Sequence, residues 1–307
     1  MTDRPPFVSF LSDYGRTDEF VGVCHAVMLD IAPAARIVDI THDVPAFDVR
    51  AGALALVRAV QYLPEGVVLA VVDPGVGSDR RSIAVEVENG FLVGPDNGLL
   101  APAVAMLGGP QRVVELTSVE YQLPSPGPTF AGRDVMAPAA AHLLSGIPIA
   151  GLGSEIEATS LTPAIVPLPN EDEDGQIRGE VLWVDRFGNC QLNIAPEQLE
   201  AAGARPGDAV EVSFGDPTPT PTPIQTSERT TRRARWVRAF ADAKPSELIL
   251  LVDSYGMCAL ALDRRSAATE LRVHAGSPIT LATERGAPGI SAEPGVPIGI
   301  GRKVADR

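Results

Sequence analysis

Lysine is almost missing from this chain. Lys244 and Lys303 are the only two, and the 25 basic residues face 39 acidic ones, for a formal net charge of −14. That balance excludes the basic footprint a nucleic-acid surface requires. Cysteine is nearly as scarce. Cys24, Cys190 and Cys258 lie far apart, with no CxxC pair. An odd, scattered set supports neither a disulfide framework nor a thiolate metal site, so buried free thiols in a reducing cytoplasm are expected. The four histidines, His25, His42, His142 and His274, show no HExxH-type spacing, and no metal or cofactor is expected. No apolar run approaches the roughly 18 residues of a membrane span. The opening MTDRPPFVSF lacks the basic-then-apolar layout of a signal peptide. GxGxxG in a dinucleotide position, GxxxxGK[ST] and GxSxG are all missing, which removes the usual nucleotide-phosphate and serine-hydrolase readings.

What is present is an ordinary globular composition, 45% hydrophobic and 21% charged over 307 residues, long enough for two cores. Through the first half, strands and helices alternate. Strands are predicted at Val8–Leu11, Arg36–Ile40 and Val67–Val72. Helices are predicted at Asp18–Ile31, from a cap at Asp48 to Tyr62, at Leu99–Leu107 and at Asp134–Leu144. Ser82–Val87, the turn at Gly90 and Phe91–Val93 read as a hairpin. Alternation of this kind predicts an α/β layer fold with a largely parallel sheet over residues 1–165. PAIVPLPNEDEDGQ at 163–176 mixes prolines with an acidic cluster and places a linker at 166–177. Short strands then follow: Gly179–Val184, Cys190–Ile194, Ala209–Phe214, Leu248–Val252, Met257–Leu262 and Ile279–Leu281. They predict a smaller all-β, barrel-like domain over 178–307. The Pro-Thr tract DPTPTPTP at 216–223 reads as a stiff exposed loop within it.

In open α/β sheets, ligands bind beyond the carboxyl ends of the strands. Asp13 and Asp73 both fall there, directly after apolar strands. Asp73 opens the loop VVDPGVGSDRR, which also carries Arg80. Its glycines suggest a phosphate cradle, but the carboxylate repels phosphate and no helix N-terminus follows. The other polar clusters gather around glycine or aromatic turns: LSDYGRTDEF, ITHDVPAFDVRAGA, VGPDNGLL, PTFAGRD, VDRFGN and DSYGMCALAL. A carboxylate such as Asp13 suits a ribose diol. Phe47, Phe130 and Phe187 suit stacking on a base or sugar, and Asn189 suits an adenine edge. Together they describe a nucleoside site that needs no phosphate-binding element.

In order and spacing, these segments resemble the S-adenosylmethionine hydrolase family, also called S-adenosylmethionine hydroxide adenosyltransferases. Fluorinating and chlorinating enzymes acting on the same substrate are its relatives. The resemblance runs from Phe7 to about Ala268 and is carried by DPGVG, GPDNGL, TFxGRD and DRFGN. It implies an α/β domain joined to a β-barrel domain, in a homotrimer with substrate between neighbouring subunits. It also implies site residues. Asp13 would hold the ribose hydroxyls. Phe47, Thr129 and Phe130 would lie around the ribose and the reacting carbon. Asp18, Asp185, Ser254 and Tyr255 would stand near the methionine end. Phe187, Asn189, Phe240 and the backbone around Leu262 would form the adenine pocket. Asp73 and Arg80 match two members of a water-activating Asp-Arg-His triad. The histidine position is Ala131 here, and a further acidic position is Ala259.

The implied reaction is hydrolysis of S-adenosyl-L-methionine to adenosine and L-methionine, with Asp73 and Arg80 activating the water. The alternative left open by Ala131 is a non-catalytic binder of S-adenosylmethionine or adenosine. A halide-dependent adenosyltransferase fits less well. The relatives of that branch carry a tyrosine where this chain has Asp73, and a carboxylate there repels halide.

Overall fold

The computed structural model describes residues 6–164, 167–172, 175–215 and 230–283. The chain divides into two compact units, Met1–Val166 and Pro167–Arg307.

In the first unit the strands are β1 (Phe7–Ser12), β2 (Arg36–Thr41), β3 (Gly66–Val71), β4 (Ser82–Val87), β5 (Gly90–Pro95), β6 (Arg112–Glu115) and β7 (Ser154–Glu155). They form one sheet in the order β2-β1-β3-β5-β4-β6-β7. The half containing β2, β1, β3 and β5 is parallel. β4 runs antiparallel to β5, closing the hairpin expected from sequence, and β6 and β7 continue antiparallel. Parallel strands buried on both faces read as continuous apolar runs. Val8, Phe10, Leu11 and Val67 through Val72 are accordingly buried.

The helices are α1 (Phe20–Ile31), α2 (Val49–Val60), α3 (Ala101–Met106) and α4 (Ala137–Leu144). Asp48 caps α2 as predicted, its Oδ1 accepting the Ala51 amide at 2.8 Å. The helix expected from Asp134 departs from expectation. Gly132–Met136 forms a π-helical turn, and regular helix begins only at Ala137. Pro138 explains the break, because it has no N–H to donate back to the Asp134 carbonyl. That carbonyl accepts from the Leu123 amide at 2.9 Å instead.

In the second unit the strands are β8 (Asn170–Glu171), β9 (Ile177–Val184), β10 (Cys190–Leu192), β11 (Ala209–Phe214), β12 (Thr230–Trp236), β13 (Leu248–Val252), β14 (Cys258–Leu262) and β15 (Pro278–Thr283). Seven of them run β9-β10-β14-β13-β12-β11-β15 and return to β9, which closes a barrel. β8 lies in the stretch read as a linker and pairs with the start of β9. α5 (Pro196–Ala201) and α6 (Ala267–Leu271) were not expected, and neither was β12. The tract at 216–223 lies outside the described residues. All three cysteines are free and buried. Burial pushes each thiol up to about 12, so none is a nucleophile at neutral pH. Among the described residues, no helix is long and apolar enough to cross a membrane.

Candidate active site

The parallel half of the first sheet delivers its polar residues to one edge. Asp13 follows β1, and its amide donates to the Val71 carbonyl at 3.3 Å. Its Oδ2 accepts the backbone N–H of Phe47 at 2.9 Å. That bond ties two loops together and holds Phe47 in a left-handed conformation, φ 68°. Only a firm partner makes such a backbone tolerable for an aromatic residue. The Phe47 ring is 72% exposed, presented as an open apolar face beside the Asp13 carboxylate. Asp18 lies on the exposed stretch before α1.

Asp73 follows β3 at the same edge. The chain turns immediately, with Val76 N–H bonding back to the Asp73 carbonyl. Gly77 sits at φ 80°. A Cβ there would lie 3.1 Å from the Pro128 carbonyl oxygen, so this glycine lets the Asp73 loop pack against the segment bearing Thr129 and Phe130. Arg80 returns to Asp73 across the turn and donates Nη2–H to Asp73 Oδ2. Its Nη1 donates to the Arg81 carbonyl at 2.7 Å and to Ser82 Oγ at 2.9 Å. Both side chains of the pair are at most 10% exposed. The other carboxylate oxygen, Asp73 Oδ1, is buried and has no hydrogen-bond partner. Burial raises the Asp73 carboxyl above its ordinary range, and Arg80 and the nearby Gly75 amide offset only part of that.

Phe130 packs edge-on against Tyr14 and Phe20, with centroids at 5.5 and 5.1 Å. Arg133 lies 4.9 Å above its outer face and pairs bidentately with Asp134. Ala131 joins this apolar cluster. Tyr14 fills the space beside Gly132, where an added Cβ would collide with its hydroxyl. Burial, then the neighbouring Cys24, Asp13 and Asp73, push the Tyr14 hydroxyl well above its ordinary range, so it remains protonated. We expect Gly132→Ala to destabilise the protein by about 1–3 kcal/mol, since Tyr14 is held by three aromatic rings and cannot yield freely. Urea denaturation measures this, and an unchanged midpoint would show that Tyr14 has somewhere to go.

The remaining predicted residues lie on the second unit. Asp185, Phe187 and Asn189 lie on the β9–β10 turn. Asp185 organises that turn itself, with Oδ1 accepting the amides of Phe187 and Asn189 at 2.8 and 2.9 Å. Its Oδ2 accepts Asn189 Nδ2–H at 2.7 Å. Its Oδ1 is therefore fully engaged within the loop, while Oδ2 keeps one lone pair. Asn189 keeps its second N–H and its Oδ1 for other partners, and Phe187 is 72% exposed. Ser254 and Tyr255 lie exposed on the β13–β14 turn, which Asp253 shapes by accepting the Tyr255 and Met257 amides. The antiparallel register Cys190↔Leu260 sets the two turns at opposite ends of the β10–β14 pair. Leu262 falls at the end holding Phe187 and Asn189. Ser254 and Tyr255 fall at the other. Phe240 is half exposed on the connection between β12 and β13.

Sequence spacing gave no hint of one further grouping. His25 on α1 meets Asp39 and His42 at the edge strand β2. A separate apolar cavity of about 260 Å³ lies between β4, β5 and α3, and none of Asp13, Asp73, Arg80 or Phe130 lines it.

With this geometry in view, similarity to known proteins becomes specific. Residues 8–153 match the model of the SAM hydroxide adenosyltransferase N-terminal domain, and residues 179–280 match that of its C-terminal domain. An (R)-S-adenosyl-L-methionine hydrolase from Salinispora tropica is 43% identical over 88% of this chain and 95% of its own length. Its counterpart from Thermus thermophilus is 38% identical over 89% and 98%. A fluorinase from Actinopolyspora mzabensis is 28% identical over 86% and 92%. Among solved structures, an uncharacterized conserved protein from Thermotoga maritima superposes with a TM-score of 0.79 at 33% identity, covering 90% of this chain and 99% of that one.

Proposed function

The chain belongs to the SAM hydroxide adenosyltransferase family, and on that premise we propose that it is an enzyme hydrolysing S-adenosyl-L-methionine to adenosine and L-methionine. The observation that carries the reading is the state of Asp73. Arg80 fixes one of its carboxylate oxygens, and the other is buried without a partner. A buried acceptor of that kind calls for a donor, and a substrate water fits it.

Sulfonium chemistry places the demand at this point. The C5′–S bond breaks with its electron pair going to sulfur, which leaves as a neutral thioether, so the leaving group needs no acid. Water must stand in line behind C5′, form the new C–O bond and lose a proton. Asp73 Oδ1 accepts a hydrogen bond from that water while Arg80 keeps the carboxylate from turning. Because burial raises the Asp73 carboxyl, it is a stronger base than a surface aspartate. Asp13 accepts the ribose hydroxyls through the lone pairs that Phe47 N–H leaves free, and Phe47, Thr129 and Phe130 border the sugar. Phe187, Asn189, Phe240 and the Leu262 backbone suit adenine. Asp18, Ser254 and Tyr255 suit the amino-acid end. Asp185, which also shapes its own turn, keeps a lone pair on Oδ2 and suits the amino-acid end as well. The proposed setting is cytoplasmic, the assembly a homotrimer, and no cofactor takes part.

Ala131 favours a second reading, binding without turnover, because its methyl group can neither accept nor relay a proton. One assay separates the possibilities. Purified protein is incubated with S-adenosyl-L-methionine, with and without chloride, and the products are resolved by chromatography. Adenosine and methionine in equal amounts are expected, independent of chloride. A 5′-chloro nucleoside would assign halide chemistry instead, and measurable binding with no product would leave only the second reading.

A further inference from the structure

We propose that His25, Asp39 and His42 form a binding site for one divalent transition-metal ion of the zinc class, serving to brace the β1 and β2 loop ends. The proposal is independent of the chemistry at Asp73.

Three donors converge there. Asp39 Oδ1 lies 2.9 Å from His25 Nε2 and 3.0 Å from His42 Nε2, and the three ligand atoms lie within 4.8 Å of one another. In a tetrahedral zinc site, bonds of about 2.0–2.1 Å put donors roughly 3.3 Å apart. Asp39 and His25 are the groups that adjust, since their side chains are 38% and 27% exposed while that of His42 is 1% exposed. Two imidazoles and one carboxylate suit zinc, cobalt or nickel rather than the hard, all-oxygen cations.

His42 supplies the second and independent observation. Its Nε2 is fully buried 3.0 Å from Asp39 Oδ1, an ion pair only when the ring is protonated, and has no well-aligned hydrogen bond. The ring cannot turn to mend this. Its Nδ1 is 2.7 Å from Ser12 Oγ, and its face packs edge-on against Phe10 at 4.7 Å. Ser12 Oγ already accepts the Tyr14 amide and has a lone pair left for Nδ1–H. With the proton on Nδ1, the Nε2 lone pair faces a carboxylate oxygen, an unfavourable contact that a cation between them turns into two bonds. A hydrogen bond from the second ring nitrogen is also what orients ligating histidines in metal sites.

The position explains the use. Ser12 precedes Asp13, and the His42 carbonyl accepts the Gly15 amide at 2.8 Å. An ion held by α1 and β2 would therefore stiffen both loops that carry Asp13 and Phe47.

Tag-free, full-length protein, stripped by chelator and dialysed against micromolar Zn²⁺, is expected to retain one zinc per chain. It should melt at a higher temperature than the stripped protein. Substituted Co²⁺ should give visible ligand-field bands without a thiolate charge-transfer band. His25→Ala should weaken zinc binding at least tenfold, and His142→Ala should leave it unchanged. Retention of no zinc by the unmodified protein would overturn the proposal without reliance on any variant. So would a cobalt–thiolate band, or equal affinity in His25→Ala, since either would locate the ion elsewhere. An unshifted melting temperature with one zinc bound would remove the bracing role.

Discussion

Asp73→Asn is expected to lower kcat by about 10²–10⁴-fold while KM for S-adenosyl-L-methionine stays within a few-fold, the range associated with losing a positioned general base. Asparagine preserves the size of the side chain and still accepts from Arg80 through its amide oxygen. What it removes is the anionic oxygen that has no partner in the protein. The pH dependence follows from the same group. Burial raises the Asp73 carboxyl, so the acid limb of kcat/KM should fall at a pH above the ordinary aspartate value of about 3.9, as the base becomes protonated. In the asparagine variant that limb should disappear. Equal losses in kcat and in substrate affinity would instead give Asp73 a role in binding.

Arg80→Met is expected to destabilise the protein by about 3–5 kcal/mol at neutral pH, the typical result of leaving one member of a buried ion pair alone. Both partners are nearly inaccessible, and among the described residues no cation besides Arg80 acts on Asp73. The sign of the pH effect is fixed. A carboxyl raised in the folded state favours folding below its unfolded pKa, and that advantage is lost as pH rises through the folded pKa. Removing Arg80 raises the folded value further. The deficit should therefore be greatest at neutral pH and shrink on acidification, as Asp73 takes up a proton in the folded chain. Denaturant melts at several pH values test this. Asp73→Asn combined with Arg80→Met should recover most of the loss, because the buried charge is gone. A deficit independent of pH, and not relieved in the double variant, would assign Arg80 to packing through its aliphatic stem.

Much of the site's chemistry is local, and so it could be read from sequence. An apolar strand followed by an aspartate places that aspartate at a strand's carboxyl end in any parallel sheet. This puts Asp13 and Asp73 in position without knowledge of the fold. The spacing in DPGVGSDRR lets the turn return Arg80 to Asp73. Asp48, the β4–β5 hairpin and the buried thiols are likewise set by neighbours in the chain, through a cap, a turn and hydrophobicity.

What required the tertiary structure depends on partners distant in sequence. Strand β12 hides behind Arg232, Arg233 and Arg235, since only Ala234 and Trp236 turn inward. Its pairing with β11 and parallel β13, and the ion pair of Arg235 with Glu247, make it a strand. Barrel closure rests on β10 meeting both β9 and β14. The engagement of Asp185 within its own turn, the loose oxygen of Asp73 and the meeting of His25 with Asp39 and His42 carry no sequence period. Periodicity and spacing report which face of an element is buried. They do not report which groups from separate elements share that burial, and the free energy of a buried polar atom depends on those groups.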